Sequence, residues 1–224
     1  MASRRRYFEP GHTYHVLNRG AQRQLLFSSD EQYIRFEELI EESLEKHPLP
    51  ILTYELMPNH WHFVVRPKGK KELSGFFQHL SGTHGKRFRV HSGTAGQGHV
   101  YQDRFKSIPV QGDGHFLAVC RYVERNALRA GLVARAEDWR WSGLYRRLTG
   151  TDQWLVSDWP VPRPDDWLER VNQPMTHEEL RAIRQSIARG RPFGTPEWTL
   201  ETARQLGLEH TLRSPGRPPI ARRP

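Results

Sequence analysis

Apolar residues in the first half of the chain follow two kinds of spacing, and the order of these spacings most constrains the fold. Short runs suited to β-strands are separated by two longer segments in which apolar residues recur at helical spacing. The resulting order is strand, helix, strand, strand, helix, strand, which is typical of the ferredoxin-like split βαβ arrangement. We therefore expect an α+β fold with an antiparallel sheet and helices on one of its faces. The predicted strands cover residues 13–19, 51–57, 60–67 and 103–110, and the predicted helices cover 28–47 and 71–90.

The second half of the chain begins with a well-defined helix and then changes in composition. The helix is predicted over residues 113–133, where Asp113 can cap the first turn and Gly131 can end the last one. After about residue 150, tryptophans and prolines become dense, two shorter helical patterns follow, and the chain ends in the basic, proline-rich stretch RSPGRPPIARRP. We therefore predict a domain of residues 1–149 and a basic, helical or extended C-terminal extension of residues 150–224 with a partly disordered tail.

The charge of the chain indicates a polyanionic partner. There are 34 lysines and arginines against 25 acidic residues, which gives a formal net charge of +9 and a pI near 10.0. The charge is unevenly distributed, since residues 66–106 contain nine basic and two acidic side chains, whereas the predicted helix 28–47 is rich in glutamate. A polarised basic surface of this kind favours nucleic acid as the partner.

Other global features narrow the class of protein. The single cysteine, Cys120, excludes an internal disulfide framework and a cysteine-rich zinc site. No stretch approaches the roughly 20 apolar residues of a membrane span, and no apolar segment follows the basic start of the chain. We therefore expect a cytoplasmic, nucleoid-associated protein with no membrane partner.

Two histidines stand on either side of a tryptophan in the stretch MPNHWHFVV, residues 57–65. Alternate side chains of a strand point to the same face, so His60 and His62 would project together while Trp61 points to the other face. Two such imidazoles can hold a metal ion, or they can be ordinary polar residues at the start of a strand. Their spacing alone leaves both interpretations open.

A tyrosine and an amide lie four residues apart in the predicted helix 113–133. Helical spacing brings Tyr122 and Asn126 to one helix face, beside the predicted apolar stripe. A half-buried core tyrosine with a polar neighbour would show the same spacing. The pair therefore gains meaning only in combination with the two histidines.

The combination resembles the HUH single-tyrosine nuclease and transposase superfamily, in which two histidines lie on a central strand and a nucleophilic tyrosine lies on a later helix. Within that superfamily the chain resembles the REP-associated tyrosine transposases, from residue 5 to about residue 145, and the C-terminal third matches only loosely. The matching stretches, in order, are RRYFEPGHTYHVLNRG, MPNHWHFVV, GHVYQDRFKS, FLAVCRYVERNALRAGLV and DWRWSGLY.

The resemblance implies a metal-dependent single-strand DNA endonuclease and strand transferase that acts on hairpins of repetitive extragenic palindromes. It implies that His60, His62 and the side-chain oxygen of Asn126, where related transposases have glutamine, hold a divalent ion, Mg²⁺ or Mn²⁺. It further implies that Tyr122 attacks the phosphorus and forms a 5′-phosphotyrosyl intermediate with release of a 3′-hydroxyl. The sequence shows no assured general base for this step.

Two other functions remain open from the sequence alone. The chain could be a non-cleaving, sequence-specific hairpin-binding protein of transposase origin, although the intact tyrosine, histidines and asparagine argue against this. An unrelated zinc hydrolase would require a further ligand and a general base, for example in a His-Glu-x-x-His motif, and neither is evident.

The sequence also predicts contacts with DNA and an oligomeric state. A proline-flanked arginine in PGRPP is typical of tails that enter the minor groove, and basic residues near the site can contact phosphates. A monomer is expected because the tyrosine helix and the histidine strand can meet within one chain, but relatives exchange this helix, so a dimer stays open. The predicted DNA-contacting residues are Arg104, Lys106, Arg121, Arg125 and Arg217. The basic extension of residues 150–224 is also predicted to contact and guide DNA without performing the chemistry.

Overall fold

The structure, a computed structural model, describes residues 8–94, 96 and 98–213. Four antiparallel strands form one sheet in the order β2-β3-β1-β4, which is the order of the ferredoxin-like fold. The predicted fold class is therefore confirmed. The elements of this part are β1 (Thr13–Arg19), α1 (Asp30–Lys46), β2 (Ile51–Met57), β3 (His60–Val65), α2 (Glu72–His91) and β4 (Lys106–Val110).

The helices α1 and α2 cover one face of the sheet, as predicted. Phe36 of α1 and Phe77 of α2 are fully buried together with Trp61 and Phe63 of β3. The rings of Trp61 and Phe77 are stacked, with centroids 5.6 Å apart. Trp61 is thus a core residue on the face opposite the two histidines, because neighbouring residues of a strand alternate between faces.

The other face of the sheet is also covered, principally by α3 (Gly114–Glu124). Phe116, Val119 and Val123 of α3 pack there with Val64 of β3. The Asp113 side chain caps α3 by accepting a hydrogen bond from the His115 N–H at 3.0 Å, as predicted.

The helix predicted over residues 113–133 is interrupted at Arg125, after which α4 (Asn126–Arg129) begins. The prediction of one continuous helix is therefore wrong. The break has a tertiary cause, because the buried carboxylate of Glu55 on β2 accepts the Ala127 N–H at 2.5 Å and so satisfies a donor at the start of α4.

The C-terminal extension packs on α3. It contains α6 (Trp167–Asn172), α7 (His177–Arg189) and α8 (Pro196–Gln205), and it follows α5 (Gly143–Thr149). Trp167, Val171 and Ile183 are buried in the same apolar cluster as α3. The predicted division at residue 149 stays a prediction, although residues on both of its sides share this cluster.

No helix in the described part of the chain is long and apolar enough to cross a membrane. The predicted disordered tail, with Arg217, lies outside the described residues.

Candidate active site

The two histidines of β3 face α3, as the strand alternation predicts. Their ring centroids are 5.0 Å apart. In the sheet register His62 lies between Leu17 of β1 and Glu55 of β2, and His60 lies opposite Arg19. Because β3 is an interior strand of the sheet, its neighbours fix the histidine backbone on both sides.

Tyr122 and Asn126 meet this histidine pair from the opposite side. The Tyr122 ring is edge-on to His62, with centroids 5.9 Å apart, and only 7% of the residue is exposed. Asn126 is 2% exposed, and its Nδ2 lies 3.2 Å from Nε2 of His60. The structure therefore brings together all four residues that the sequence predicts for the chemistry, and it does so within one chain.

Both histidines make a protein contact through Nδ1, and Nε2 of His60 also lies against the Asn126 amide. Nδ1 of His60 lies 2.6 Å from Oδ1 of Asn59, and because this oxygen is an acceptor, Nδ1 is the donor. Nδ1 of His62 lies 2.8 Å from Nε2 of His15. Nδ1 of His60 is therefore protonated, and its Nε2 keeps a lone pair that faces Asn126, whereas the donor in the His62–His15 pair is set by the tautomer. Such partner hydrogen bonds orient metal-binding histidines.

Burial keeps these imidazoles neutral. It is the main cause that lowers the pKa of His60 to about 4, and the charges of Arg19 and Arg129 act in the same direction. Burial also lowers the pKa of His62 well below its usual value, and that of His15 to about 3. Near neutral pH all three rings are uncharged, which is the state in which imidazole binds a metal.

The donors at the site fit a divalent ion that accepts nitrogen and oxygen ligands, such as Mn²⁺ or Mg²⁺. Two neutral imidazoles and one amide converge here, and no set of three His, Cys, Asp or Glu side chains able to hold a metal exists in the described ranges. The predicted ligand atom of Asn126, Oδ1, does not face the histidines. It accepts a hydrogen bond from Arg129, while Nδ2 faces His60. Coordination through the oxygen therefore requires the amide to turn over.

Glu55 and His15 were not predicted at the site, and the position of Arg129 was not predicted either. Glu55 is fully buried, and burial raises the pKa of its carboxyl well above the usual value. His15 supports His62, and Arg129 lies over Tyr122. A signal existed for Glu55, because it places a titratable side chain inside the largely apolar strand ILTYELM, whereas His15 lies in TYHVLNR among other polar residues.

The predicted DNA-contacting residues are dispersed. Arg104 is exposed in the bend before β4, and Lys106 is exposed at the first position of β4, with Nζ 3.4 Å from the Ile187 carbonyl oxygen. Arg125 is half-buried at the helix break. These contacts stay predictions, as does that of Arg217, which lies outside the described residues.

Arg121 binds the C-terminal extension. Its guanidinium donates to the backbone carbonyls of Arg170, Gln173 and Pro174, at 2.7–3.1 Å. Its side chain is only 18% exposed. A contact of Arg121 with DNA stays a prediction, but in this structure its donors hold the extension against α3.

The structure thus combines an antiparallel ferredoxin-like sheet, two histidines on an interior strand and a tyrosine helix packed across them. The model of the IS200-like transposase family matches residues 10–126, which are 117 of the 224 residues. The chain belongs to that family, in agreement with the resemblance seen in the sequence.

A solved structure of similar fold agrees with this assignment. The chain is similar to a REP-associated tyrosine transposase bound to a REP hairpin, with a TM-score of 0.55 and 22% identity over 74% of this chain and 94% of that chain. It also matches a transposase-like protein of Deinococcus radiodurans R1, with a TM-score of 0.39 and 18% identity over 55% and 96% of the respective chains. No curated protein sequence matches the chain.

Proposed function

We propose that the protein is a metal-dependent single-strand DNA endonuclease and strand transferase, with Tyr122 as the nucleophile. The observation that carries this proposal is the meeting of Tyr122 and Asn126 with the histidine pair, the Tyr122 ring 5.9 Å from that of His62 and the Asn126 amide 3.2 Å from His60. Membership of a transposase family supports a reaction on DNA.

The residues divide the chemistry among them. His60 and His62 would hold the divalent ion through Nε2, with Asn126 as the third ligand, and the ion supplies a Lewis acid that polarises the phosphate. Tyr122 releases its phenolic proton to water, which can return a proton to the leaving oxygen, and the Tyr122 oxygen forms a bond to phosphorus. The bond from phosphorus to the 3′ oxygen breaks, and that oxygen takes up a proton to become a 3′-hydroxyl.

The proposed intermediate explains how strands could be rejoined. The 5′-phosphotyrosyl bond replaces the phosphodiester bond that was broken and conserves its energy. Resealing therefore requires no nucleotide cofactor. Attack by a 3′-hydroxyl on the phosphorus returns the tyrosine and takes the reaction in reverse. If that hydroxyl belongs to a different strand, the outcome is strand transfer.

We further propose REP-type hairpin DNA as the substrate. The similar transposase structure contains a REP hairpin, and the net charge of +9 suits a polyanionic ligand. A DNA substrate would place the protein in the cytoplasm at the nucleoid. One chain supplies all four site residues, which supports action as a monomer.

A non-cleaving hairpin-binding protein is the second candidate, and one observation favours it. Tyr122 is buried, since only 7% of the residue is exposed, whereas a nucleophile needs access to its substrate. A protein that no longer cuts would tolerate such a covered tyrosine. The two candidates differ in whether a covalent adduct forms.

The test is to incubate the protein with a single-stranded hairpin oligonucleotide that has a 5′ arm, with Mn²⁺, with Mg²⁺ or with EDTA. We expect a protein–DNA adduct that survives denaturation in the presence of metal and disappears in EDTA. The variant Tyr122→Phe should bind the same hairpin and form no adduct, because it lacks only the hydroxyl. Binding without any adduct from the unaltered protein would establish the non-cleaving candidate, and an adduct with Tyr122→Phe would identify another nucleophile.

A further inference from the structure

The guanidinium of Arg129 is placed against the candidate nucleophile. Arg129 is the last residue of α4, and its Cζ lies 4.7 Å from the centroid of the Tyr122 ring. A guanidinium over an aromatic face is held by the ring quadrupole. Arg129 therefore has a defined position at the site, whereas a solvated surface arginine would not.

The hydrogen bonds of Arg129 are incomplete. Nη2 donates to Oδ1 of Asn126, but Nη1 is buried and has no hydrogen-bond partner. No carboxylate of the described residues forms an ion pair with this guanidinium. A buried donor without an acceptor is costly, so a group that binds in the functional state is a physical reason for keeping it.

The surroundings specify the charge of that group. Arg19 lies opposite His60 in the sheet register, and the charges of Arg19 and Arg129 both contribute to the lowered pKa of His60. The imidazoles are neutral, and Glu55, which interacts electrostatically with Arg129, has its pKa raised by burial. The two guanidiniums therefore set the sign of the local charge. An anion with exposed oxygens fits this environment, and guanidinium binds phosphate oxygens with particular strength and geometry.

We infer that Nη1 of Arg129 binds a non-bridging oxygen of the DNA phosphate that is presented to Tyr122. This inference rests on the proposed function, because it identifies the DNA phosphate as the ligand of the same site. Arg129 would then bridge the nucleophile's ring, Asn126 and the phosphate. Its role is to place the phosphorus beside the Tyr122 oxygen, and removal of the guanidinium charge should weaken phosphate binding even where no cleavage takes place.

The experiment measures binding of a dinucleotide, thymidylyl-thymidine, in EDTA. One probe has the natural phosphodiester, and the other has a neutral methylphosphonate in its place. The side-chain Nε–H signals of ¹⁵N-labelled arginine report binding in the unaltered protein, and the affinities of both probes are measured for the unaltered protein, Arg129→Gln and Arg129→Lys. The exposed Arg135, which pairs with Glu137, provides the matched control Arg135→Gln.

We expect the Arg129 signal to shift with the phosphodiester and not with the methylphosphonate. Arg129→Gln should bind the phosphodiester about tenfold more weakly than the unaltered protein does, which corresponds to the loss of one charge-assisted hydrogen bond. This variant should also bind the two probes with equal affinity. Arg129→Lys should fall between the two because it keeps the charge and loses the fork. Arg135→Gln should bind and discriminate as the unaltered protein does.

Two results would overturn the inference. One is an unshifted Arg129 signal at saturating phosphodiester, which needs no variant and is independent of folding. The other is equal discrimination between the two probes by Arg129→Gln and the unaltered protein, with melting unchanged. The hairpin adduct assay separates this inference from the proposed function. Phosphate binding through Arg129 without an adduct would refute only cleavage. An adduct without phosphate binding through Arg129 would refute only the role of Arg129.

Discussion

The carboxylate of Glu55 accepts the backbone N–H of Ala127 at 2.5 Å and so joins strand β2 to the break between α3 and α4. In the sheet register the same glutamate lies opposite His62. One buried side chain thereby links the sheet position of a candidate metal ligand to the helix that begins with Asn126. The geometry of the site depends on this contact between distant parts of the chain.

Substitution of Glu55 should separate its hydrogen bond to Ala127 from the rest of the carboxyl group. Glu55→Gln keeps an oxygen that can accept the Ala127 N–H, so we expect a loss of about 1 kcal/mol in the free energy of unfolding and retention of cleavage. Glu55→Ala leaves that donor unsatisfied and opens a cavity, which should cost roughly 2–4 kcal/mol and slow cleavage on the order of 100-fold. Urea denaturation and the hairpin assay measure both effects. Equal stability and activity of the two variants would show that this contact does not position the site.

Removal of either histidine should abolish metal-dependent cleavage. His60→Ala and His62→Ala each remove an imidazole ligand, whereas Asn126→Ala removes a weaker amide ligand and should have a smaller effect. Mn²⁺ affinity, measured from the electron spin resonance of the free ion, tests this without reference to activity. His115→Ala is the control, because His115 binds Asp113 at the start of α3. Mn²⁺ affinity unchanged in His60→Ala would remove the metal site.

His15 should act through His62. Its Nε2 lies 2.8 Å from Nδ1 of His62, so His15→Phe leaves that nitrogen without its partner and frees the choice of tautomer. We expect Mn²⁺ affinity to fall by about 10–100-fold, as is usual when the partner of a metal-binding histidine is lost. The ¹⁵N chemical shifts of the His62 ring would show the tautomer directly. A ring with unchanged shifts and unchanged affinity for Mn²⁺ would leave His15 as a packing residue.

Trp167 should stabilise the tyrosine helix from the extension. Its Nε1 donates to Oε2 of Glu124 at 2.7 Å, and both residues are buried. Trp167→Phe keeps most of the ring and leaves the carboxyl oxygen unsatisfied, which should cost roughly 1–3 kcal/mol in unfolding free energy. Trp154, which is 56% exposed, is the matched control, and Trp154→Phe should change stability by less than about 0.5 kcal/mol. Similar losses for the two variants would contradict a specific bond to α3.

The local features of the fold could be predicted from the sequence. The predicted strands 13–19 and 51–57 coincide with β1 and β2, because alternation, turn residues and flanking prolines are encoded within a few residues. The break at Arg125 could not be predicted, since it depends on Glu55, which lies 72 positions from its partner Ala127. Of the candidate site, the histidines and the tyrosine were found through motif resemblance. His15 and Arg129 act through contacts that only the folded chain creates.

The C-terminal extension was predicted from the sequence to guide DNA as a part separate from the catalytic domain. A chain that stops after Thr149 loses α6, α7 and α8, and with them the burial of Trp167, Val171 and Ile183 in the cluster that includes α3. Each such side chain contributes about 1.5–3 kcal/mol when buried, whereas a whole domain is stable by only about 5–15 kcal/mol. We therefore expect the shortened chain to lose cooperative melting and to expose α3.

A chain that stops after Ser214 provides the contrast, because it keeps the extension helices and removes Arg217 with the rest of the tail. It should melt as the full chain does, since the buried cluster is intact. If the tail guides DNA, this shorter chain should bind hairpin DNA more weakly and discriminate less between cognate and scrambled 5′ arms. Calorimetry and hairpin binding, measured for both truncations, separate folding from guidance. If the chain that stops after Thr149 melts cooperatively at the temperature of the full chain, the extension is dispensable for the stability of α3. If the chain that stops after Ser214 binds hairpin DNA as well as the full chain does, Arg217 has no guiding role.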